Sequence, residues 1–298
     1  MRTSPTDQIE QAARERAVTE EVVRSFDRTE SERLRQLMAS LVRHLHAFAR
    51  DVRLTEDEWR YAIRYLTETG RICTDTRQEF ILLSDVLGLS TLTVGINSPV
   101  RGAATQSTVF GPFFVEGSPE VPLGGSIAGD LQGTPCYVQG RVTGTDGRPV
   151  AGARIEIWEA DEDGFYDVQY ADERCGGRAH LFSDQEGRYR FWCIFPSPYP
   201  IPADGPVGAL LRATARSPMR PAHIHYLVTA PGYRALTTHI FVADGPHLAS
   251  DAVFGVKESL VVDFVRHAGG RAPDGSIQEG GWVQAEFDVV LGKDDDAT

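Results

Sequence analysis

Apolar residues in the first hundred positions recur at helical spacing. The main stripe comprises Leu34, Leu37, Met38, Leu41, Val42, Leu45 and Phe48, and a period of three to four residues places such side chains on one face of an α-helix. A second stripe comprises Trp59, Ala62, Ile63 and Leu66, and weaker helical patterns cover residues 8–23 and 78–87. Thr29 with Glu32 and Thr55 with Glu58 have the spacing of capping boxes, while Gly70 and Gly88 are placed to end helices. The pattern predicts an all-α N-terminal region over residues 1–104.

The pattern changes near Asn97-Ser98-Pro99, after which glycine, proline and β-branched residues dominate. Short alternating segments separated by turn sequences such as Asp146-Gly147 are typical of β-strands. The predicted strands are 137–142, 153–158, 179–182, 189–192, 223–228, 236–242 and 286–290. Several short strands at this spacing favour an antiparallel β-sandwich over residues 105–298. The predicted fold class is therefore mainly β, with the sandwich preceded by the helical region.

Charge and cysteine content narrow the classes of function. The 298 residues carry a net charge of −12, which disfavours nucleic acid or an anionic membrane as a partner because no basic surface attracts phosphates. We find no apolar run long enough to insert into a membrane and no apolar leader. The four cysteines are scattered and form no C-x-x-C pair, as expected in a reducing compartment. We expect a cytoplasmic protein acting on small molecules, with a frayed acidic tail at 293–296.

Two histidines on one predicted strand are candidate metal ligands. His223 and His225 are two positions apart, so they point to the same face while Ile224 points to the other. Two imidazoles alone leave a coordination sphere incomplete. The chain has no H-E-x-x-H motif of a zinc protease. A site for Fe(II) made of two histidines and one carboxylate stays possible, although no carboxylate stands in an obvious relation to the pair.

Two tyrosines are the other candidate ligands. Tyr166 follows an acidic turn, and Tyr199 lies in the proline-rich segment 195–202, which is expected to be stiff. A phenol has a pKa near ~10 and binds a metal well only when the ion drives off its proton. A highly charged ion such as Fe(III) does this. Two tyrosines with two histidines would therefore suit a ferric site.

Three motifs resemble the metal-binding motifs of the intradiol ring-cleavage dioxygenases, in order and in spacing. They are Gly164-Phe165-Tyr166, Pro198-Tyr199-Pro200 and Arg220-Pro221-Ala222-His223-Ile224-His225. The resemblance extends over nearly the whole chain. Within the family it is strongest to the branch that cleaves hydroxyquinol (benzene-1,2,4-triol), through segments 80–85, 109–114, 198–202, 204–208 and 251–257.

The resemblance implies a specific activity. Tyr166, Tyr199, His223 and His225 would bind one Fe(III) per subunit, and an aromatic diol or triol would bind through two adjacent hydroxyls and react with O2. Tyr199 would leave the iron and help to take a proton, and Arg220 would stabilise charge on the substrate. For hydroxyquinol the product would be 3-hydroxy-cis,cis-muconate or maleylacetate, in the catabolism of aromatic compounds. The implied substrate contacts are Leu82, Asp85, Val109, Phe110, Gly111, Pro112, Phe113, Ile201, Pro202, Arg220 and Val253.

The roles of Asp85 and His239 are each open between two hypotheses. Asp85 could accept a hydrogen bond from the third hydroxyl of the triol, or it could be an ordinary polar residue in a buried helix. His239 stands where catechol-cleaving members usually carry Gln. It could support the metal ligands near Arg220 or act as a third metal-binding histidine, and we favour the supporting role.

The resemblance also implies a homodimer formed through the N-terminal helices, with a phospholipid in an apolar tunnel as one option and an ordinary dry interface as the other. Two alternatives to the main function remain. One is a catechol or chlorocatechol 1,2-dioxygenase. The other is a non-catalytic β-sandwich binding module, suggested by the segment 147–153, although that hypothesis explains neither tyrosine motif.

Overall fold

The computed structural model describes residues 4–75, 77–99, 102–170 and 175–294. The chain divides into two compact units, Met1–Thr67 and Glu68–Thr298. In the described residues the α-helices are α1 Pro5–Ser25, α2 Glu32–Asp51, α3 Glu56–Arg71, α4 Glu79–Val86, α5 Leu89–Asn97 and α6 Pro206–Ala213. The strands are β1 Pro135–Gly144, β2 Arg154–Trp158, β3 Arg178–Phe182, β4 Arg188–Ile194, β5 Tyr199–Pro200, β6 Met219–Arg220, β7 His223–Thr229, β8 Leu236–Val242, β9 Val261–Val262, β10 Phe264–His267, β11 Gly270–Arg271, β12 Ile277–Gln278, β13 Trp282–Glu286 and β14 Val289–Leu291.

The starts of the helices in the first unit follow local capping chemistry. The predicted capping box of α3 is present, because Glu58 accepts from the Thr55 N–H and Thr55 Oγ1 accepts from the Glu58 N–H. The predicted box at Thr29 is wrong. Ser31 is the N-cap of α2 and accepts from the Leu34 N–H, while the Thr29 N–H closes the preceding turn onto Phe26 O.

The apolar stripe of α2 remains about half exposed in the single chain. Its exposed fractions are 48% for Leu34, 48% for Leu37, 50% for Leu41, 55% for Leu45 and 55% for Phe48. The other side of α2 packs on α1, where the Thr19 hydroxyl lies 3.0 Å from His46 Nδ1 and accepts from Arg50. A contiguous apolar stripe of this kind marks a surface that another molecule can cover.

The second unit begins with the end of α3 and a helical hairpin. The prediction that Gly70 ends a helix is wrong, since α3 continues to Arg71. Gly88 ends α4 as predicted, with φ of 73° in the left-handed region that glycine adopts without strain. Helix α5 follows at once and was not predicted, because its Thr and Val residues favour strands. The Thr91 hydroxyl anchors α5 by donating to Val253 O.

Two five-stranded sheets face each other across one hydrophobic core. One sheet has the order β10-β13-β1-β14, with β4 also paired to β1, and the other has the order β3-β2-β7-β8-β9. Residues facing inward include Val138, Phe191 and Val283 from the first sheet, and Ile157 and Ile224 from the second. The predicted mainly-β class with a helical N-terminal region is confirmed.

The sheets are not wholly antiparallel. Strand β1 pairs in parallel with β13 and β14, and β8 pairs in parallel with β9. The predicted strand 286–290 is interrupted at Phe287-Asp288, where the Phe287 N–H bonds to Gln139 O and Asp288 accepts from the Arg141 N–H. Gly140 permits this bulge, because a Cβ there would lie 1.8 Å from Phe287 O.

In the described part of the chain, no single helix has both the length and the apolar character to cross a membrane. Helices α4 and α5 reach that length and apolar character only as a pair, and the chain bends by 79° at the break between them. Asp295 and Asp296 of the predicted frayed tail lie outside the described residues.

Candidate metal centre

His223 and His225 lie on the outer face of the second sheet, on β7. Ile224 and Tyr226 alternate with them and point into the core. The His223 Nδ1–H donates to Pro221 O at 2.7 Å, which leaves Nε2 as the nitrogen with a free lone pair. His225 Nδ1 lies 2.6 Å from His239 Nε2. Both histidines therefore turn Nε2 toward the same point.

Tyr166 is held by a turn and a short 3-10 helix, Asp167–Gln169. Its N–H donates to Gln169 Oε1 at 2.9 Å, and Phe113 stacks on its ring with centroids 4.7 Å apart. Gly164 has φ of 86°, and a Cβ there would lie 2.5 Å from Tyr199 Cβ. Glycine is thus required in this turn so that Tyr166 and Tyr199 can come together.

Tyr199 and Arg220 are partners in a two-residue antiparallel ribbon, in which β5 pairs with β6. The ribbon places the proline-rich segment beside the histidine strand, because β6 precedes β7 by only two residues. Both side chains are buried, with exposed fractions of 4% each.

The two phenol oxygens and the two Nε2 atoms form a closed ring. Tyr166 Oη lies 2.9 Å from Tyr199 Oη, Tyr199 Oη lies 3.3 Å from His223 Nε2, His223 Nε2 lies 3.2 Å from His225 Nε2, and His225 Nε2 lies 2.9 Å from Tyr166 Oη. Donor atoms that share a first-row metal ion at about 2.0–2.1 Å, with angles of about 90–109°, lie roughly 2.8–3.4 Å apart. The four distances therefore lie within the range expected between ligands of one ion.

Burial sets the protonation states of the two histidines and two tyrosines, and these states limit which metal ion can bind. Burial and the charge of Arg220 lower the pKa of His223 to about 3, and burial with the neighbouring histidines lowers the pKa of His225 well below its usual value. Both imidazoles are therefore neutral and ready to bind. Burial raises the pKa of Tyr166 and of Tyr199 above the usual value for a phenol. Only an ion that strongly favours phenolate can displace these two protons.

His239 lies behind His225, on the side of its Nδ1 atom. Its Nε2 faces His225 Nδ1 at 2.6 Å, and its Nδ1 lies 2.6 Å from Thr108 Oγ1. When Nε2 of His225 binds a metal, Nδ1 carries a proton that His239 accepts, and His239 then donates to Thr108. The donor atoms of His223, His225 and His239 lie within 4.8 Å of one another, but His239 stands on the far side of the His225 ring. This geometry favours the supporting role over that of a third ligand.

Arg220 lies at the edge of the ring of donors. Its Nη1 is 3.0 Å from His223 Nε2, and its Nε donates to Asp251 Oδ1 at 3.1 Å. Its Nη2 is buried and has no hydrogen-bond partner in the described residues. A buried guanidinium whose Nη2 atom has no partner can bind an anionic oxygen.

An inner cavity of about 20 Å³ opens beside these residues. Its wall contains ten of the eleven predicted substrate contacts, together with Tyr199 and His225: Leu82, Asp85, Val109, Gly111, Pro112, Phe113, Tyr199, Ile201, Pro202, Arg220, His225 and Val253. Phe110 is not part of this wall in the structure. It is 40% exposed, and its ring packs against Phe114 and Trp158.

A larger cavity of about 550 Å³ adjoins the inner one. The residues that line both, and thus form the neck between them, are Leu82, Pro112, Phe113, Tyr199, Ile201 and Pro202. Arg77 bridges the outer cavity by donating to both carboxylate oxygens of Asp204 at 2.8 Å. The outer cavity is the natural approach to the metal centre.

Sequence reasoning missed three residues that contact this centre. Trp158 stacks on His225, with ring centroids 4.6 Å apart and planes at 15°. Thr108 and Asp251 hold His239 and Arg220 as described above. For Asp251 a local signal exists, since an Asp four residues before Gly255 is typical of a turn closed by its own side chain. For Trp158 and Thr108 the contacts depend on pairing between distant segments.

Comparison with known proteins agrees with this geometry. A family model described as "Dioxygenase" matches residues 109–292, and one described as "Catechol dioxygenase N terminus" matches residues 31–105. The chain is 59% identical to hydroxyquinol 1,2-dioxygenase of Rhodococcus opacus, covering 98% of each chain. It is 56% identical to 6-chlorohydroxyquinol 1,2-dioxygenase of Cupriavidus pinatubonensis, covering 92% of this chain and 96% of that one.

A solved structure is similar over the same length. The crystal structure of hydroxyquinol 1,2-dioxygenase from Pseudomonas putida DLL-E4 gives a TM-score of 0.89 at 43% identity, covering 95% of this chain and 100% of that one. The chain belongs to the intradiol ring-cleavage dioxygenases, a family of non-heme iron oxidoreductases. The predicted family is confirmed, and these relatives belong to the branch that the sequence motifs indicated.

Proposed function

We propose that this protein is an Fe(III)-dependent dioxygenase that opens the ring of hydroxyquinol between adjacent hydroxyls, giving 3-hydroxy-cis,cis-muconate or its tautomer maleylacetate. The observation that carries the proposal is the closed ring of four donor atoms, from Tyr166, Tyr199, His223 and His225, beside a cavity that also holds Arg220 and Asp85. Two phenolates select Fe(III) over Fe(II) or zinc, because they stabilise the higher charge.

The bound ferric ion would supply a Lewis acid that draws electron density from a catecholate and so prepares the ring for O2. The protein holds two adjacent hydroxyls of the substrate at this point and receives their protons. Tyr199 would take one of them at Oη, because its side chain lines the inner cavity and its Oη belongs to the ring of donors.

Arg220 stabilises the negative charge that develops on the bound substrate. Its side chain is buried, is held on one edge by Asp251 and lines the inner cavity. Asp251 raises the pKa of Arg220 above its usual range, against the effect of burial, so the guanidinium keeps its charge. A fixed cation in a water-excluded site stabilises developing charge far better than solvent does.

Asp85 gives the site its preference for the triol. It is buried, with an exposed fraction of 3%, and lies in the wall of the inner cavity on α4. Hydroxyquinol differs from catechol by one hydroxyl, and the carboxyl group of Asp85 in the cavity wall is a hydrogen-bond partner for it. A site built to bond a hydroxyl rejects the analogue that lacks it far more strongly than an apolar wall can select one.

The small size of the inner cavity supports a movement of side chains when substrate binds. A volume of about 20 Å³ holds roughly one water molecule, which is much less than an aromatic triol. Tyr199 lies in the neck between the inner and outer cavities, so its movement away from the ring of donors would join the two spaces. This supports the release of Tyr199 from the metal on substrate binding.

The test is ring-opening activity of the ferric-reconstituted protein on hydroxyquinol, catechol and 4-chlorocatechol in parallel. We expect a red to brown protein and the highest kcat/KM for hydroxyquinol, with the absorbance of intradiol rather than yellow extradiol products. A preference for catechol or 4-chlorocatechol would favour the alternative specificity. A colourless, inactive protein after reconstitution would favour a binding module.

The half-exposed stripe of α2 supports a second part of the proposal, a homodimer formed through the helical region 1–104. Covering such a stripe with a second copy removes apolar surface from water. Light scattering of wild type and of Leu41→Glu tests this: we expect a dimer that the variant shifts toward monomer. Lipid extraction and mass spectrometry of the purified dimer tests for a bound phospholipid. The four unlinked cysteines support a cytoplasmic location.

A further inference from the structure

Asp251 lies in a turn that holds its carboxylate in place. Oδ2 accepts from the Gly255 N–H at 2.8 Å, and Oδ1 accepts from the Val253 N–H at 3.3 Å. The Phe254 N–H returns to Asp251 O, and Phe254 has φ of 58°, in the left-handed region that a bulky side chain rarely adopts. The turn thus accepts backbone strain and fixes an anion.

This anion contacts the edge of Arg220 that faces away from the ring of donors. Arg220 Nε donates to Asp251 Oδ1 at 3.1 Å, and both side chains are almost wholly buried. Pairing at Nε fixes the plane of the guanidinium, because its five N–H groups are rigidly related. Nη1 consequently faces His223 Nε2 and Nη2 remains without a partner in the described residues.

The same turn contributes to the substrate wall. Val253 lines the inner cavity two residues after Asp251. Gly255 closes the turn against the ion pair, and a Cβ there would lie 3.1 Å from both Arg220 Nη2 and Asp251 Oδ2. Orientation of the cation and shape of the wall are therefore set by one five-residue segment.

We propose that Asp251 is the positioning residue for Arg220, and that the turn 251–255 holds the guanidinium in the orientation in which Arg220 lines the inner cavity. The proposal rests on the proposed function. It assigns Asp251 no contact with substrate: its effect on turnover passes wholly through the guanidinium. If the ion pair were merely structural, breaking it would lower the stability of the protein and leave kcat unchanged, because the cost is that of an unpaired buried charge.

The test is a double-mutant cycle of wild type, Asp251→Asn, Arg220→Gln and the double variant, reconstituted with Fe(III). For each we measure kcat and KM for hydroxyquinol, iron content and the visible absorption of the ferric protein. We expect Asp251→Asn to keep iron and colour and to lose about 10–100-fold in kcat, since misplacing a catalytic group by about 1 Å costs up to that much. In the Arg220→Gln background the same change should alter kcat less than about twofold, because no guanidinium is left to aim.

Two outcomes would overturn the proposal. One is a kcat for Asp251→Asn within about twofold of wild type, and the other is independent losses that multiply in the double variant. Glu156→Gln is the matched control, a buried carboxylate paired with Arg154 outside the cavities, and should leave kcat unchanged. Gly255→Ala keeps both charges while crowding them, and should lower kcat in the same direction if Asp251→Asn fails to fold. Absence of ring opening in wild type would instead refute the proposed function itself.

Discussion

The proposed preference for a triol rests on one carboxyl group, that of Asp85, and Asp85→Ala removes it. Asp85 lies on α4 in the inner cavity wall, where burial raises the pKa of its carboxyl group. A hydrogen bond to a charged group contributes about 1.5–3 kcal/mol. Since about 1.4 kcal/mol corresponds to a factor of ten, the ratio of kcat/KM for hydroxyquinol over catechol should fall about 10–150-fold in this variant.

The assay is steady-state ring opening on both substrates with the same ferric-reconstituted preparation. Asp85→Asn is the matched variant, because an amide of the same size still bonds a hydroxyl and should retain most of the preference. Leu82→Ala, in the same helix and the same wall, removes only apolar contact and should affect the two substrates alike. An unchanged ratio in Asp85→Ala, with both substrates still turned over, would show that Asp85 is an ordinary polar residue of a buried helix.

Three further predictions concern Glu159, His239 and Tyr166. Burial raises the pKa of Glu159 to about 8, so its folded state keeps a proton that the unfolded chain releases near 4.5. The stability that protonated Glu159 contributes is thus complete at low pH and is lost as the pH rises to about 8. In denaturant unfolding, the free energy of unfolding of Glu159→Gln should therefore increase relative to that of wild type by about 1.4 kcal/mol per pH unit between about pH 5 and 7.5. His239→Leu should weaken iron binding about 10–100-fold in competition with a chelator, because it removes the acceptor of His225 Nδ1–H. Tyr166→Phe should lose much of the visible absorption of the ferric protein, whereas Tyr226→Phe, a buried tyrosine of the core, should keep it.

Each of these has a clear contrary result. A pH-independent difference between Glu159→Gln and wild type would mean that the carboxyl is already ionised at neutral pH. His239→Gln offers the control for iron binding, since an amide restores a hydrogen-bond acceptor. Equal iron affinity in the Leu and Gln variants would exclude a supporting role. Undiminished colour in Tyr166→Phe would remove that tyrosine from the set of ligands.

Strand alternation is what made the centre of the site predictable. His223 and His225 share a face because β7 is regular, and its regularity follows from the apolar Ile224, Tyr226 and Val228 on the other face. The stiff segment around Tyr199 was recognisable from proline alone. These features are local in sequence, so their geometry can be inferred without knowing where any other segment lies.

The other contacts of the site depend on how distant segments pair, and no local sequence pattern specifies this pairing. Trp158 contacts His225 because β2 and β7 pair in the register that sets these two residues opposite each other. A shift of one residue would turn the indole into the core. Helix α5 likewise forms against the strand preference of its residues, since its Thr91 bonds to Val253 O. The candidate ligands and Arg220 could be predicted from the sequence, whereas the contacts that orient them required the fold.

The two tyrosines are held very differently, and this difference bears on which of them can leave the metal. Tyr166 is fixed by the Gln169 hydrogen bond and by Phe113 stacked on its ring. Tyr199 belongs to a ribbon of only two paired residues and stands in the neck between the cavities. Moving Tyr199 disrupts little of the sheet and opens the path to the outer cavity, whereas moving Tyr166 would disrupt its turn and its stacking. The proposed release of Tyr199 is therefore the less costly of the two, which favours Tyr166 as the ligand that would stay bound.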